Sequence, residues 1–324
     1  MLDTDVLTWP QIELVLDTAR HMAEIVAGVR PRSTALKGVG VTNLFYEAST
    51  RTRVSFEVAA RQLSADVVNV SVGGSSIEKG ESLLDTMHTL ESLGAKVLVI
   101  RHATSGAPYL VAREFGGAVV NAGDGRHAHP TQALLDLFTL LRRVPGGTLR
   151  GRKVVILGDI LHSRVARSNL WTLTQAGADV WLCGPATLVR GFEAWAATGV
   201  GGERKFTVTT DMAAALRDAD VLMALRIQKE RMAAGLLPSL HEYADRYGLT
   251  AARLATAAEG CVVLHPGPMN EGIEIAADVA AGPRSLVTEQ VANGVPIRMA
   301  VLSLVASAAG LGAAPGVASG AGAA

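Results

Sequence analysis

The sequence predicts an α/β protein built from two doubly wound parallel-sheet domains. Short apolar runs of strand length recur through both halves, at 41–46, 67–72, 96–100, 117–122, 153–159, 178–184, 206–209, 219–224 and 260–264. Stretches whose apolar residues repeat every three or four positions lie between them, the period of a helix packed on one face. The turn-forming run Val144-Pro145-Gly146-Gly147-Thr148 divides the chain, and the alternation restarts after it. A length of 324 residues accommodates two such domains.

Taken in order, residues 9–27 read as an opening amphipathic helix, with Ile12, Val15, Leu16, Ala19 and Met22 on one face. The strand at 41–46 feeds Glu47-Ala48-Ser49-Thr50-Arg51-Thr52-Arg53, where Ser49 and Thr50 are helix-capping residue types. A helix with Val54, Val58 and Leu63 follows, then the strand at 67–72 and a polar, glycine-bearing loop over 73–82, expected to be mobile. Leu83, Leu84, Met87, Leu90 and Leu93 restore a helix, and the strand at 96–100 ends in Arg101-His102. After the strand at 117–122, Gly123-Asp124-Gly125 turns the chain into His127-Ala128-His129-Pro130-Thr131-Gln132; Pro130 suits the first turn of a helix to Arg143. Beyond the break, Ser163-Arg164 opens a helix after Gly158-Asp159, and the strand at 260–264 leads into His265-Pro266-Gly267-Pro268. From Gly310 the chain is alanine- and glycine-rich, the composition of a disordered tail.

In open parallel sheets ligands sit outside the carboxyl ends of the strands. Ser49 to Arg53, Arg101, His129, Arg164, Arg226 and His265 each follow a strand end directly or by a short loop. The strand-to-helix turn at Ser49 is a seat for an anion, because free N–H groups and the positive end of the helix dipole point at it. Arg51 and Arg53 add forked donors suited to phosphate or carboxylate oxygens.

Composition narrows the function. Thirty basic and thirty acidic residues give no net charge, so no basic face for nucleic acid is expected. Cys183 and Cys261 have no metal or redox spacing and read as buried thiols in a reducing cytosol. The pair His127 and His129 lacks a third ligand of convincing spacing, so neither a metal nor another cofactor is expected. The acidic N-terminus has no apolar secretory core, and the C-terminal apolar stretch carries Arg298, prolines and many glycines, which argues against a membrane span. A cytoplasmic, soluble enzyme of a small anionic metabolite is the expectation.

Residues 45–53, Phe-Tyr-Glu-Ala-Ser-Thr-Arg-Thr-Arg, resemble the carbamoyl-phosphate motif of the transcarbamoylases, and His129-Pro130-Thr131-Gln132 matches their second motif. Glu78-Lys79-Gly80-Glu81-Ser82, Gly158-Asp159 with Arg164, the run 226–231 and His265-Pro266-Gly267-Pro268 are similar to the aspartate carbamoyltransferases in particular. The likeness spans roughly residues 3 to 308 in family order. It implies a carbamoyl-phosphate domain (1–144 with 285–308), an aspartate domain (145–284), a C-terminal helix returning to the first domain, and a tail over 309–324. It also implies a homotrimer with active sites shared between subunits. The implied reaction transfers the carbamoyl group of carbamoyl phosphate to the amino group of L-aspartate, the committed step of pyrimidine synthesis.

By the same resemblance Ser49, Thr50, Arg51 and Thr52 hold the phosphate, with Arg101 as a further cation. His129 donates to the carbamoyl oxygen, assisted by Thr52 and Arg101. Gln132 and the backbone of Pro266, Gly267 and Pro268 bind the carbamoyl amide. Arg164, Arg226 and Gln228 receive aspartate, Ser75 and Lys79 enter from a neighbouring subunit, and Glu47 pairs with Arg164 and Arg231 on domain closure. The family's peptide bond before Pro268 is cis. Met269 and Glu271 depart from the pattern of many bacterial relatives, which place a basic residue at one or other of these points. Regulatory chains or a dihydroorotase are partners the resemblance leaves open.

An ornithine carbamoyltransferase is the alternative within the family. Its site needs acidic groups for the side-chain ammonium, whereas 226–231 offers Arg226, Gln228, Lys229 and Arg231, and its usual His-Cys-Leu-Pro turn is replaced by His265-Pro266-Gly267-Pro268. A nucleotide-binding dehydrogenase would require a G-x-G-x-x-G turn after the strand at 153–159, which is lacking. A silent scaffold homologue is disfavoured by the intact Arg51, Arg101, His129 and Gln132.

Overall fold

The computed structural model describes residues 1–71, 80–228 and 235–312. The chain divides into two compact units, one of Met1–Asp3, Pro10–Gly125 and Asn293–Ala324, the other of Thr4–Trp9 and Arg126–Ala292.

The first unit contains α1 (Trp9–Val26), β1 (Gly40–Phe45), α2 (Thr50–Gln62), β2 (Asp66–Ser71), α3 (Leu83–Ser92), β3 (Val97–His102), α4 (Ala107–Glu114) and β4 (Ala118–Asp124). Its strands form a parallel sheet in the order β2-β1-β3-β4. From β1 the chain steps to β2 on one side and then to β3 on the other, so the switch point lies between β1 and β3. Phe45 and Arg101 are partners at its carboxyl end. The β3–β4 ladder is irregular between Ile100 and His102, and an irregularity of this kind re-aims the side chain it carries, here Arg101. Leu44, Leu98, Ile100, Val111, Phe115 and Val119 form the core on one face.

The second unit contains α5 (Pro130–Arg143), β5 (Lys153–Leu157), α6 (Arg164–Gln175), β6 (Asp179–Cys183), α7 (Ala186–Val189), α8 (Phe192–Thr198), β7 (Thr207–Thr209), α9 (Met212–Leu216), β8 (Val221–Ala224), α10 (Leu240–Tyr247), α11 (Ala251–Leu254), β9 (Val262–Leu264) and α12 (Ala277–Ala280). The parallel order is β7-β6-β5-β8-β9, which puts the switch point between β5 and β8. Val155, Leu157, Cys183, Leu222, Val263 and Ile275 pack beside this sheet. Burial pushes both the Cys183 and the Cys261 thiol up to about 12.

The last helix, α13 (Val287–Ala308), begins in the second unit and continues into the first. There Arg298 donates to Ser55 Oγ at 2.7 Å and stacks over the Phe56 ring, tying α13 to α2. Its length and apolar content would suit a membrane span, but it is mostly buried in the fold. By compactness the second unit takes in residues from Arg126 onward, and within it α5 packs along α6. Residues 309–312, assigned to the tail from composition, close the helix instead, with Leu311 N–H donating to Ala306 O at 2.8 Å.

Candidate active site

In the first unit the switch point is a cationic seat at a helix end. The first intrahelical bond of α2 is Arg53 N–H to Ser49 O at 3.1 Å, so the N–H groups ahead of it point out of the helix. Ser49 does not cap them, against expectation. Its hydroxyl donates to Thr52 Oγ1 at 3.0 Å, which leaves the helix end for an external anion. Thr52 is buried, whereas Thr50 and Arg51 are exposed on the first turn. Arg101 spans the switch point from β3, donating to Glu47 Oε1 at 2.6 Å and to Ala122 O at 3.1 Å. Beside it the His102 ring packs on Tyr46 at 4.8 Å, and burial lowers the imidazole below its ordinary pKa.

At the start of α5 a second group of residues is held by a buried network. His129 is the N-cap residue, and its N–H donates to Ser168 Oγ at 2.9 Å. One turn on, Gln132 Nε2 donates to Asp136 Oδ1 at 2.8 Å. The same oxygen accepts Gln290 Nε2 at 2.8 Å, and Asp136 Oδ2 accepts Asn169 Nδ2 at 2.9 Å. Gln290 Oε1 in turn accepts the His265 N–H at 2.9 Å, fastening the turn after β9. In that turn His265 Nδ1 accepts the Gly267 N–H at 2.8 Å, so its proton sits on Nε2, facing Glu274 Oε1 at 3.3 Å. The Gly267–Pro268 bond is cis.

The switch point of the second unit gathers two arginines. Buried Arg164 opens α6 behind β5, its turn capped by Ser163 Oγ accepting the Ala166 N–H at 3.1 Å. Arg226 and Gln228 follow β8. Wholly buried Asp159 accepts the Gln228 N–H at 3.1 Å and the His162 Nδ1–H at 2.8 Å, which satisfies a carboxylate that would be costly to bury alone. Gly158 precedes it at φ +118°, and a Cβ there would meet Tyr243 Oη at 2.8 Å and Leu225 O at 3.0 Å. Only glycine lets the chain leave β5 along this path.

Comparison with known proteins agrees with this arrangement. The family model "Aspartate/ornithine carbamoyltransferase, carbamoyl-P binding domain" matches residues 1–142, and the corresponding Asp/Orn binding domain matches residues 150–305. The chain belongs to the aspartate/ornithine carbamoyltransferase family. It is 56% identical over 302 residues to the aspartate carbamoyltransferase catalytic subunit of Roseiflexus sp. (strain RS-1), covering 93% of each chain. Among solved structures, aspartate transcarbamoylase from Trypanosoma cruzi with N-(phosphonacetyl)-L-aspartic acid superposes with a TM-score of 0.80 at 30% identity, covering 94% of each chain. Ornithine carbamoyltransferase from Pyrococcus furiosus gives 0.82 at 26% identity, covering 94% of this chain and 96% of that one. The carbamoyltransferase fold is thus shared by enzymes of both amino acids, and side chains must distinguish them.

Of the residues the motifs single out, Ser49, Thr50, Arg51, Thr52 and Arg101 lie together at the switch point of the first unit. Arg164, Arg226 and Gln228 lie at that of the second. His129 and Gln132 are grouped with the second unit, in which the Gln290 link joins α5 to the turn carrying Pro266, Gly267 and Pro268. Within its own unit Glu47 Oε1 accepts from Arg101 at 2.6 Å. Ser75, Lys79 and Arg231 lie outside the described residues. Sequence reasoning missed Asp136, Asn169 and Gln290. The signal for Asp136 was present: a carboxylate amid Leu134, Leu135, Leu137 and Phe138, one turn after Gln132.

Proposed function

We propose that the chain is the catalytic chain of an aspartate carbamoyltransferase, transferring the carbamoyl group of carbamoyl phosphate to the amino group of L-aspartate. The observation that carries this reading is the pair of guanidinium-bearing residues, Arg164 and Arg226, behind the two strands that flank the second switch point. A substrate with two carboxylates fits such a pair, and ornithine's side-chain ammonium does not.

In this reading the phosphate sits on the first turn of α2, held by Ser49, Thr50, Arg51 and Thr52. The carbamoyl oxygen faces His129, Thr52 and Arg101, and the carbamoyl NH2 faces Gln132 and the carbonyls of Pro266 and Gly267. The aspartate amine attacks the carbamoyl carbon, forming the N–C bond as the C–O bond to phosphate breaks. The departing phosphate takes the proton released by the amine. No covalent intermediate is needed, so positioning and charge stabilisation supply the rate. Arg51 contributes most once charge has moved onto the phosphate.

We assign residues 1–144 with 285–308 to the carbamoyl-phosphate domain and 145–284 to the aspartate domain; family matches that end at 142 and resume at 150 support the break, and the grouping of the chain from Asn293 with the first unit supports the return of the last helix. The working unit in this reading is a cytoplasmic homotrimer, with Ser75 and Lys79 of a neighbouring subunit completing each site. Exposed Val54 and Val58 on α2 and Val68 on edge strand β2 supply apolar surface for such a contact. Light scattering on the purified chain should give three chain masses, and a monomer at working concentration would refute the shared site. Incubation with carbamoyl phosphate and either amino acid tests the reaction itself. Carbamoyl aspartate is the expected product, and formation of citrulline instead would reverse the assignment.

A further inference from the structure

We infer that Asp136 is a positioning residue that fixes the acceptor polarity of the carbamoyl pocket and so selects an acyl phosphate bearing NH2. The inference rests on the placement of the carbamoyl amide at Gln132 proposed above. A buried carboxylate accepts hydrogen bonds and cannot donate them. Gln132 therefore turns its Nε2 toward Asp136 Oδ1, at 2.8 Å, and its Oε1 the other way, as an acceptor for a ligand. Gln290 is oriented by the same oxygen at 2.8 Å, and its Oε1 is then committed to the His265 N–H at 2.9 Å. One fully buried carboxylate thus sets the amide of Gln132 and the position of the turn whose Pro266 and Gly267 carbonyls are the pocket's other acceptors.

Asn169 prevents the carboxylate from turning. Its Nδ2 donates to Asp136 Oδ2 at 2.9 Å and to Val165 O at 3.1 Å, anchoring the far oxygen to the backbone of α6. Without Asp136, either face of the Gln132 amide could meet the ligand, and the turn at His265 would lose its link to α5. A pocket lined by fixed acceptors leaves them unpaired when a methyl group replaces NH2, and sites of that kind discriminate strongly.

The test compares equilibrium binding of carbamoyl phosphate with that of acetyl phosphate, which differs in carrying CH3 for NH2. The full-length chain is used as wild type, Asp136→Ala and Gln290→Met. The wild type should favour carbamoyl phosphate. Asp136→Ala should lower that preference about tenfold, the worth of one lost hydrogen bond at a buried site, while acetyl phosphate affinity changes much less. A structural role alone would weaken both ligands alike, and an unchanged ratio would overturn the inference. Should Asp136→Ala fail to fold, Gln290→Met decides, since it cuts only the link from the carboxylate to His265: a ratio lowered several-fold supports the inference, and an unaltered one refutes it. A wild type that forms no carbamoyl aspartate would instead refute the proposed reaction.

Discussion

In the first unit the carboxyl ends of β1 and β3 are tied by the ion pair of Glu47 with Arg101, at 2.6 Å, whose acid is 24% exposed. In the second the ends of β5 and β8 are tied by Asp159, wholly buried and accepting the Gln228 N–H. The two sheets solve one geometric problem, bridging a switch point, in different dielectric surroundings. The Glu47–Arg101 pair keeps some access to water, whereas removing Asp159 strands donors that water cannot reach. The first switch point draws its order from a helix end and an ion pair, and the second from a buried acceptor.

The largest effect that would break this comparison is on turnover. Arg51→Ala should lower kcat by about a thousandfold, the usual loss when a group stabilising transition-state charge is removed. Its unfolding midpoint should stay near that of the wild type, because Arg51 is exposed. Next comes Arg226→Ala, expected to raise the aspartate KM between about tenfold and a hundredfold, the worth of a charge-assisted hydrogen bond. Carbamoyl phosphate binding should be unaltered, and equal loss of both substrates would contradict the division of labour. Asp159→Asn should cost about 2 kcal/mol of stability by denaturant unfolding, against a smaller loss for Glu47→Gln, whose partner keeps some access to water. Equal costs would remove the distinction between the two bridges.

A further effect is a pH dependence, confined to alkaline conditions. Both thiols are raised from an ordinary value of 9.0 to about 12, so the unfolded chain releases their protons first as pH rises. Stability should therefore decline from pH 9 towards 12. Replacing Cys183 and Cys261 by serine should flatten that decline.

How far the sequence revealed these sites depended on how many residues each seat draws from one stretch. The residues at the first switch point are nearly contiguous, Glu47 to Arg53 with Arg101, and alternating strands and helices already placed them at a sheet edge. The network at α5 brings Gln132, Asp136, Asn169 and Gln290 together from three helices, and no local pattern announces such a meeting. Ser49 looked like a capping residue because its type favours that role, but the structure gives its hydroxyl to Thr52. Helix α4 went unread, although Pro108 lies in its first turn, a position where proline favours a helix start. Helix α10 was also passed over, although Ser239-Leu240-His241-Glu242 carries a capping signal and Ser239 Oγ accepts the Glu242 N–H at 3.0 Å.

Calorimetric binding of N-(phosphonacetyl)-L-aspartate addresses the claim that both seats serve one reaction. Affinity should exceed that for carbamoyl phosphate or aspartate alone, and should fall with either Arg51→Ala or Arg226→Ala. Binding that ignored one of the two substitutions would show that the seats do not act on a single bound molecule.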